Sequence, residues 1–193
     1  MTYWGREETG LILHAAWMGS VKVLQMLLET PGVDLLAKDN KGQNALSRAI
    51  ASSNISAAEV LLADGRIPVD DEDNEARNTL GWAAYTRQIQ MIELLEKAGT
   101  KLTSLDSHGR TPLCWAGTPE IAPFLLDRSI EPESRDKEGR ITLSWIAQHG
   151  SPLTLGTLVD RGAEVDSRDH DERTPLFRTL PIARTGDFDF LLK

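Results

Sequence analysis

Few side chains in this sequence are suited to covalent or metal chemistry. Cys114 is the single cysteine, and the histidines include His14, His108 and His149. A nucleophilic cysteine needs a base within hydrogen-bond reach to form its thiolate, and we expect none beside Cys114. No pair of His or Cys residues has the spacing of zinc ligands. The sequence therefore predicts no catalytic, metal-binding or cofactor-binding residue, and it predicts that Cys114 is a small packed side chain.

Two stretches rich in carboxylates, Asp70–Asp73 and Asp166–Glu172, also lack the pattern of a site. Neither has the alternating ligands, central glycine and final glutamate of a calcium loop. We expect both to be solvated turns. The sequence also has no glycine-rich loop of the kind that cradles a phosphate.

The bulk composition excludes several classes of protein. The net charge of −8 over 193 residues argues against a nucleic-acid binder, which needs a surplus of Lys and Arg. No apolar run approaches the roughly 20 residues that span a bilayer, and the first ten residues lack the pattern of a signal peptide. A single cysteine favours a reducing compartment. We therefore expect a cytoplasmic or nuclear protein that does not act on membranes.

A repeat runs through most of the chain. One aligned position recurs at steps of 34, 34, 33, 30 and 33 residues, at Ala15, Ala49, Ala83, Ala116, Ile146 and Thr179. An Asp and a turn precede each later copy, as in "DSHGRTPL", and an apolar stripe at helical spacing follows, as in "VKVLQMLLE". Two helices cannot bury both of their apolar faces alone, so neighbouring repeats must stack.

Local signals predict where the helices begin and end. In Thr111-Pro112 and Thr174-Pro175, Thr is suited to the N-cap and Pro to the first helical position. Asn44 and Asn78 are the expected caps in two other copies. Glycines that favour a positive φ follow most of the apolar stripes, at Gly32, Gly65, Gly99 and Gly162.

These features together resemble the ankyrin repeat, from about Thr9 onward. The family pattern D-x-x-G-x-T-P-L-H-x-A-A is matched closely by Asp106–Ala116, and more loosely by Asp136–Ala147 and Asp169–Leu180. The resemblance implies an all-α solenoid of about six helix-turn-helix repeats, each with an inner and an outer helix, joined by β-turn fingers. We expect one domain over 1–193 with repeats at 5–38, 39–72, 73–105, 106–135, 136–168 and 169–193, the completeness of the last being left open.

A tryptophan lies one place before the recurring position in three repeats, at Trp82, Trp115 and Trp145. The other copies carry His14, Arg48 and Arg178 in this slot. The slot lies on the inner helix, so we expect the ring to wedge between adjacent repeats. A buried aromatic ring contributes about 150–250 Å² of contact. A role of the rings in binding is the alternative.

The fourth repeat is shorter than its neighbours. It lacks three residues after Ala116 that correspond to Ala84–Thr86. Gly117 is expected to end the inner helix early, Thr118-Pro119 to cap and start the outer helix, and Pro123 to kink or delay it. The shortening is either drift in a tolerant loop or a notch in the binding face.

The resemblance also implies that a protein partner is held by the finger tips and by the exposed ends of the inner helices. Carried over position by position, the candidate partner-binding residues are Trp17, Met18, Lys41, Arg77, Tyr85, Arg110, Arg140, His149 and Arg173.

Alternatives exist for the two main features of this set. Its four arginines form one column along the fingers, where nearby acidic residues would neutralise them as exposed ion pairs of little energy, namely Glu75, Glu138 and Asp171. Trp17 beside Met18 has the composition of an interface anchor. The same two residues are equally suited to packing beneath Tyr3 and Trp4.

The pattern favours a non-catalytic protein–protein interaction module or scaffold that needs no cofactor. A second hypothesis is a regulatory or sensor segment of a larger enzyme or NTPase-type receptor. Apolar residues at the C-terminal repeat support it, as does a likeness of the Trp-containing variant to long fungal ankyrin arrays; these residues are Phe188, Phe190, Leu191 and Leu192. A third is a small-molecule enzyme with a pocket near Cys114, Trp145 and His149.

Overall fold

The computed structural model describes the backbone of residues 4–149 and 151–179, and side chains from residue 10 to 178 within these ranges. Over this part of the chain all regular structure is helical, so the predicted all-α repeat architecture is confirmed. The chain packs into two compact units, Met1–Thr100 and Lys101–Lys193. Each unit is described by itself, and the expected single domain stays a prediction.

Unit 1 contains three successive helix pairs. Within each pair the two helices pack together, and inner helices α1, α3 and α5 also pack in sequence, as do outer helices α2, α4 and α6. Their bounds are α1 Trp4–Met18, α2 Val21–Glu29, α3 Ala45–Ala51, α4 Ile55–Asp64, α5 Thr79–Tyr85 and α6 Ile89–Lys97.

Unit 2 repeats the same arrangement with a different first inner element. A single turn of 3-10 helix at Pro112–Trp115 packs against α7 and α8, and α8 packs against α9 and α10. The bounds are α7 Ile121–Leu126, α8 Thr142–His149, α9 Pro152–Asp160 and α10 Pro175–Thr179.

The recurring small residue lies at the closest packing of the inner helices. Ala49, Ala83 and Ala116 are fully buried, and Ile146 in the same position is 1% exposed. Outer helices add leucines that are equally buried, such as Leu61 and Leu95. Each buried leucine stabilises the fold by about 1.5–3 kcal/mol relative to an exposed one. Cohesion therefore comes from contacts between repeats, as the stacking argument predicted.

Three of the five expected helix caps form, and Thr118 is taken up with the fourth repeat below. The side-chain oxygens of Asn44 and Asn78 accept the amides of Ser47 and Gly81. Thr174 Oγ1 accepts the amide of Phe177 at 3.4 Å. Thr111 does not cap, because the turn that follows it is 3-10 and its hydroxyl faces Cys114 Sγ at 3.9 Å instead.

Neighbouring fingers are joined through their backbones. The amide of Asn74 donates to Lys41 O at 2.9 Å, and the amides of Lys137 and His170 donate in the same way to His108 O and Glu138 O. The close approach requires glycine at the turn: a Cβ on Gly42 would lie 2.5 Å from Asn74 Oδ1, and its φ is +78°.

The fourth repeat differs from its prediction at the outer helix. The inner element does stop before Gly117, as expected. The outer helix, however, begins only at Ile121, so Thr118 and Pro119 do not form its cap and first position. Pro123 is the third residue of α7, where it needs no intrahelical amide bond and is tolerated. The expected delay of the helix is therefore confirmed, and the expected Thr118 cap is wrong.

Replacing a cap that forms should cost more than replacing one that does not. Asn78→Ala removes the acceptor for the Gly81 amide and should lower the free energy of unfolding by about 1 kcal/mol. Ser20→Ala is the matched control, because Ser20 precedes α2 without a side-chain cap bond, and should change it by less than about 0.5 kcal/mol. Urea unfolding followed by far-UV circular dichroism measures both, and equal losses would contradict the assignment.

Candidate partner-binding surface

A buried aspartate organises each well-formed finger. In the fourth repeat Asp106 Oδ1 accepts the amides of His108 and Arg110, each at 2.9 Å. Its Oδ2 accepts Arg110 Nε at 2.6 Å and Trp115 Nε1 at 3.3 Å. One carboxylate thus fixes the turn, the arginine and the ring of the inner helix.

The same arrangement, named here the Asp–Arg–Trp cluster, occurs in three repeats. Asp73 accepts from Arg77 Nε and Trp82 Nε1, both at 2.9 Å. Asp136 accepts from Arg140 Nε at 2.7 Å and Trp145 Nε1 at 2.8 Å. In all three clusters the guanidinium lies over the indole ring, with Cζ 4.1, 4.2 and 4.3 Å from the centroid. Cation–π attraction therefore adds to the ion pair.

Two other repeats carry incomplete versions of the cluster. In the last repeat Arg178 occupies the tryptophan slot and donates to Asp169 Oδ2 at 2.5 Å. Burial opposes ionisation of Asp169, but the Arg178 hydrogen bond and the backbone amides of Arg173 and Asp171 outweigh it and lower its pKa. In the second repeat Arg48 pairs with Asp39 at 3.4 Å, and Gln43 stands in the arginine position.

The expectation of solvated turns is wrong for Asp73 and Asp169, which are 7% and 6% exposed, and sequence reasoning also missed what the aspartates bind. The spacing Asp, Asp+4 and Asp+9 is constant at 73/77/82, 106/110/115 and 136/140/145. This invariant spacing was the available signal. The expectation for the ring was that it wedges between adjacent repeats, and the structure adds that each indole N–H donates to the aspartate of its own finger.

The predicted arginine column divides into buried and exposed members. Arg77 and Arg110 are only 7% and 5% exposed. The side chain of Arg140 is 15% exposed and that of Arg173 is 44% exposed. The expected acidic neighbours do pair with three of them, Glu75, Glu138 and Asp171. A partner role stays a prediction for all four, and burial gives Arg77 and Arg110 a structural role.

The exposed hydrophobic candidates in unit 1 lie near the C-terminal ends of inner helices. Trp17 and Met18 end α1 and are 40% and 60% exposed, and Tyr85 ends α5 and is 53% exposed. Asn54 fixes the α1 end by donating to Trp17 O at 2.5 Å. The side chains of Tyr3 and Trp4 lie outside the described residues, as do Phe188, Phe190, Leu191 and Leu192.

The rings of Trp17 and Tyr85 are each held from one side by neighbouring side chains. Arg48 Cζ lies 4.4 Å from the Trp17 centroid. Tyr85 stands edge-on to Trp82 at 5.8 Å, and Arg77 Cζ lies 5.3 Å from its ring. Each ring therefore has one supported side and a large exposed fraction. Such pre-ordered aromatic groups lose little conformational entropy when a partner binds. Lys41 lies exposed on the neighbouring finger tip.

Unit 2 contains a longer aromatic stack. The Trp115 and Trp145 centroids are 6.4 Å apart, as expected for rings that meet between adjacent repeats, and Arg110 Cζ lies 4.7 Å from Trp145. His149 stacks on the other end, with its centroid 6.1 Å from Trp145. Partial burial, and then the positive charge of Arg110, lower the pKa of His149, so the imidazole is neutral at pH 7.

Cys114 is placed for packing. It is 7% exposed and its sulfur lies 3.6 Å from Thr142 Oγ1. Burial raises the pKa of this thiol to about 11. The hydrogen bonds with Thr142 and Thr111 lower the pKa, but they offset only part of the effect of burial. At neutral pH the group is a thiol, the form that is neither nucleophile nor metal ligand.

Comparison with known proteins agrees with this geometry. Residues 11–62 match the family model described as ankyrin repeats (many copies). The chain has the ankyrin-repeat fold, and this stretch of it matches the family in sequence. Its fold also matches a chain in the solved structure of the Bd0816 predatory endopeptidase from Bdellovibrio bacteriovorus in complex with immunity protein Bd3460. That match has a TM-score of 0.71 at 21% identity and covers 94% of this chain and 96% of the other.

The similar curated proteins are much longer. Palmitoyltransferase AKR1 of Lachancea kluyveri is 30% identical over 147 residues, covering 72% of this chain and 20% of that protein. Palmitoyltransferase AKR1 of Saccharomyces cerevisiae is 32% identical over 46% of this chain and 12% of that protein. The E3 ubiquitin-protein ligase hecd-1 of Caenorhabditis elegans is 26% identical over 49% and 4%. This ankyrin-repeat chain thus spans a fifth or less of the relatives it matches.

Two kinds of feature are absent from the described part of the chain. None of its helices is long and apolar enough to cross a membrane. None of its groups of His, Cys, Asp and Glu is arranged to hold a metal ion.

Neutralising the central carboxylate should destabilise the ankyrin fold strongly. Asp106→Asn keeps the shape but leaves the buried Arg110 guanidinium without its anion, so the free energy of unfolding should fall by about 3 kcal/mol. Asp171→Asn changes the same residue type at a 64% exposed side chain and should cost less than about 0.5 kcal/mol. Urea titration of tryptophan fluorescence compares them, and similar midpoints would show that the cluster is not a structural centre.

Cys114 should resist alkylation while the chain is folded. At pH 7.5 a maleimide or iodoacetamide reagent should label it at least about 100-fold more slowly than in urea, because the thiol is buried and protonated. Mass spectrometry of timed samples measures both rates. Rapid labelling of the folded chain would return Cys114 to consideration as a reactive group.

Proposed function

We propose that this chain is a non-catalytic protein-binding module whose main partner contact is made by Trp17, Met18 and Tyr85 at the ends of inner helices in unit 1. The supporting observation is that these large side chains are 40%, 60% and 53% exposed. The two aromatic rings are nevertheless supported, Trp17 by Arg48 and Tyr85 by Trp82 and Arg77. Exposed aromatic and methionine side chains on a rigid support are the usual anchors of protein interfaces.

The remaining predicted contacts have smaller roles in this proposal. Lys41 and Arg173 are exposed charges that would steer or orient a partner, and Arg140 offers only a small exposed part. Arg77 and Arg110 act through the rings that they support. His149 is proposed as a contact of unit 2, where its neutral ring extends the exposed end of the Trp115–Trp145 stack.

A second function is favoured by the length of the relatives. The chain covers 20% of palmitoyltransferase AKR1 of Lachancea kluyveri. A regulatory ankyrin segment attached to a larger enzyme is therefore the alternative proposal, and none of the relatives named above is an NTPase. In either case the chain would bind without performing chemistry. A reducing compartment, the cytosol or the nucleus, fits its lone thiol.

Photo-crosslinking tests the proposed surface directly. A benzophenone amino acid in place of Tyr85 should yield a discrete crosslinked protein in extract of the cells that produce the chain, identified by mass spectrometry. The same probe at Leu153, which is 65% exposed on outer helix α9, is the matched control and should yield none.

Affinity for that crosslinked protein then tests the residues. Trp17→Ser with Tyr85→Ser should raise Kd about 30-fold, since two partly exposed interface anchors that each contribute about 1 kcal/mol together account for about 2 kcal/mol. The melting temperature should fall only modestly, because Trp17 and Tyr85 are 40% and 53% exposed and each ring is held from one side only. Unchanged affinity in a folded double variant would place the partner elsewhere.

A further inference from the structure

Arg48 has a weaker ion pair than the arginine in the same slot of the last repeat. Its Nη1 lies 3.4 Å from Asp39 Oδ2, whereas Arg178 reaches Asp169 at 2.5 Å. Over the residues that the structure describes, this long contact is the one hydrogen bond that the Arg48 side chain donates. A guanidinium has five N–H donors, and this side chain is 24% exposed. Donors therefore remain for a further acceptor.

This guanidinium lies beside the proposed aromatic anchor. Arg48 Cζ is 4.4 Å from the centroid of the Trp17 ring, and Trp17 is 40% exposed. A partner group that covers the exposed part of the ring therefore approaches the guanidinium as well. The chemistry of that group can be inferred from the charges around the ring.

Charge is divided between the inner and the outer helices of unit 1. No Asp or Glu occurs in 11–20, 45–54 or 79–88, which hold the end of α1, all of α3 and α5, and the loops after them, whereas Arg48 and Arg87 do. Outer helices α2, α4 and α6 carry five carboxylates and two lysines. The inner-helix ends are thus cationic in a chain whose net charge is −8.

The neighbouring fingers do not reverse this sign. The side chain of Asp73 is 0% exposed inside its cluster, and Glu75 pairs within its own finger. Lys41 is exposed at the tip of the second finger. Glu8 precedes Trp17 by nine residues, or about 13 Å along α1. Because charges are screened over about 8 Å at physiological ionic strength, the nearby cations outweigh the net charge for a contact at Trp17.

We infer that the partner presents an acidic linear segment, in which the carboxylate of an Asp or Glu pairs with Arg48 while a neighbouring apolar side chain covers Trp17. This inference rests on the proposed function, because it assigns a chemistry to the partner of that surface. The two oxygens of a carboxylate match the paired N–H groups of a guanidinium. Charge complementarity of this kind favours acidic partners and disfavours basic ones.

Selection from a random peptide library tests this chemistry. The immobilised full chain should enrich short phage-displayed peptides that carry Asp or Glu within about three residues of Trp, Phe or Leu, at least about threefold over the unselected library. The double variant with Trp17→Ser and Tyr85→Ser should not enrich them, because the apolar half of the contact is removed.

A double-mutant cycle locates the acidic contact at Arg48. Replacing the carboxylate of a selected peptide by the corresponding amide should raise Kd at least about tenfold for the original chain, but less than about threefold for Arg48→Gln. Lys22→Gln removes an exposed cation from outer helix α2 and is the matched control, so it should keep the tenfold effect. Fluorescence anisotropy measures each Kd, and circular dichroism checks that each variant is folded.

The outcomes separate this inference from the proposed function. Selected peptides that need Trp17 and Tyr85 but are neutral or basic, or whose carboxylate effect is unchanged in Arg48→Gln, would overturn the inference and leave the proposed surface standing. Acidic peptides bound equally well by the Trp17→Ser/Tyr85→Ser variant would overturn both. Enrichment of no peptide would overturn the acidic linear segment, while crosslinking at Tyr85 would still decide the proposed surface.

Discussion

The buried carboxylate of the finger is the interaction on which the rest of each complete repeat depends. Asp106 takes up two backbone amides with one oxygen and a guanidinium and an indole N–H with the other. A charge in such a place is tolerated only when it is fully paired. The turn, the arginine and the inner helix are therefore held in one relative position, and loss of the anion would remove the buried carboxylate that pairs with the Arg110 guanidinium.

This arrangement also determines which side chains remain for binding. The finger pattern predicts a column of arginines available to a partner. In the structure Arg77 and Arg110 of that column are buried and support tryptophan rings instead. The exposed aromatic side chains lie instead near the C-terminal ends of inner helices, at Trp17 and Tyr85. A rigid interior and exposed aromatic ends together suit a binding module, since little further ordering is needed when a partner arrives.

The departures from the cluster are informative about the individual repeats. In the last repeat Arg178 replaces the tryptophan and pairs with Asp169. In the second repeat Arg48 replaces it, pairs with Asp39 and lies over Trp17 of the preceding inner helix. The aspartate is present in each of these repeats, whereas its side-chain partners differ. The aspartate is therefore the constant element, and the tryptophan is not required at its position. In the first repeat the apolar side chains of Val23 and Leu11 are 44% and 48% exposed.

The sequence by itself determined the helical repeats, their period and most of their caps, because these depend on local spacing and on short-range hydrogen bonds such as that of Asn78. It did not determine the start of α7, since the three missing residues of the fourth repeat change which turn can form before Ile121. Only the tertiary structure decided which column residues are buried. Arg110 and Arg173 occupy the same place in the pattern, yet one lies between Trp115 and Trp145 and the other is largely open. Burial is a property of what packs alongside, and the neighbours of a side chain come from other repeats that no local pattern specifies.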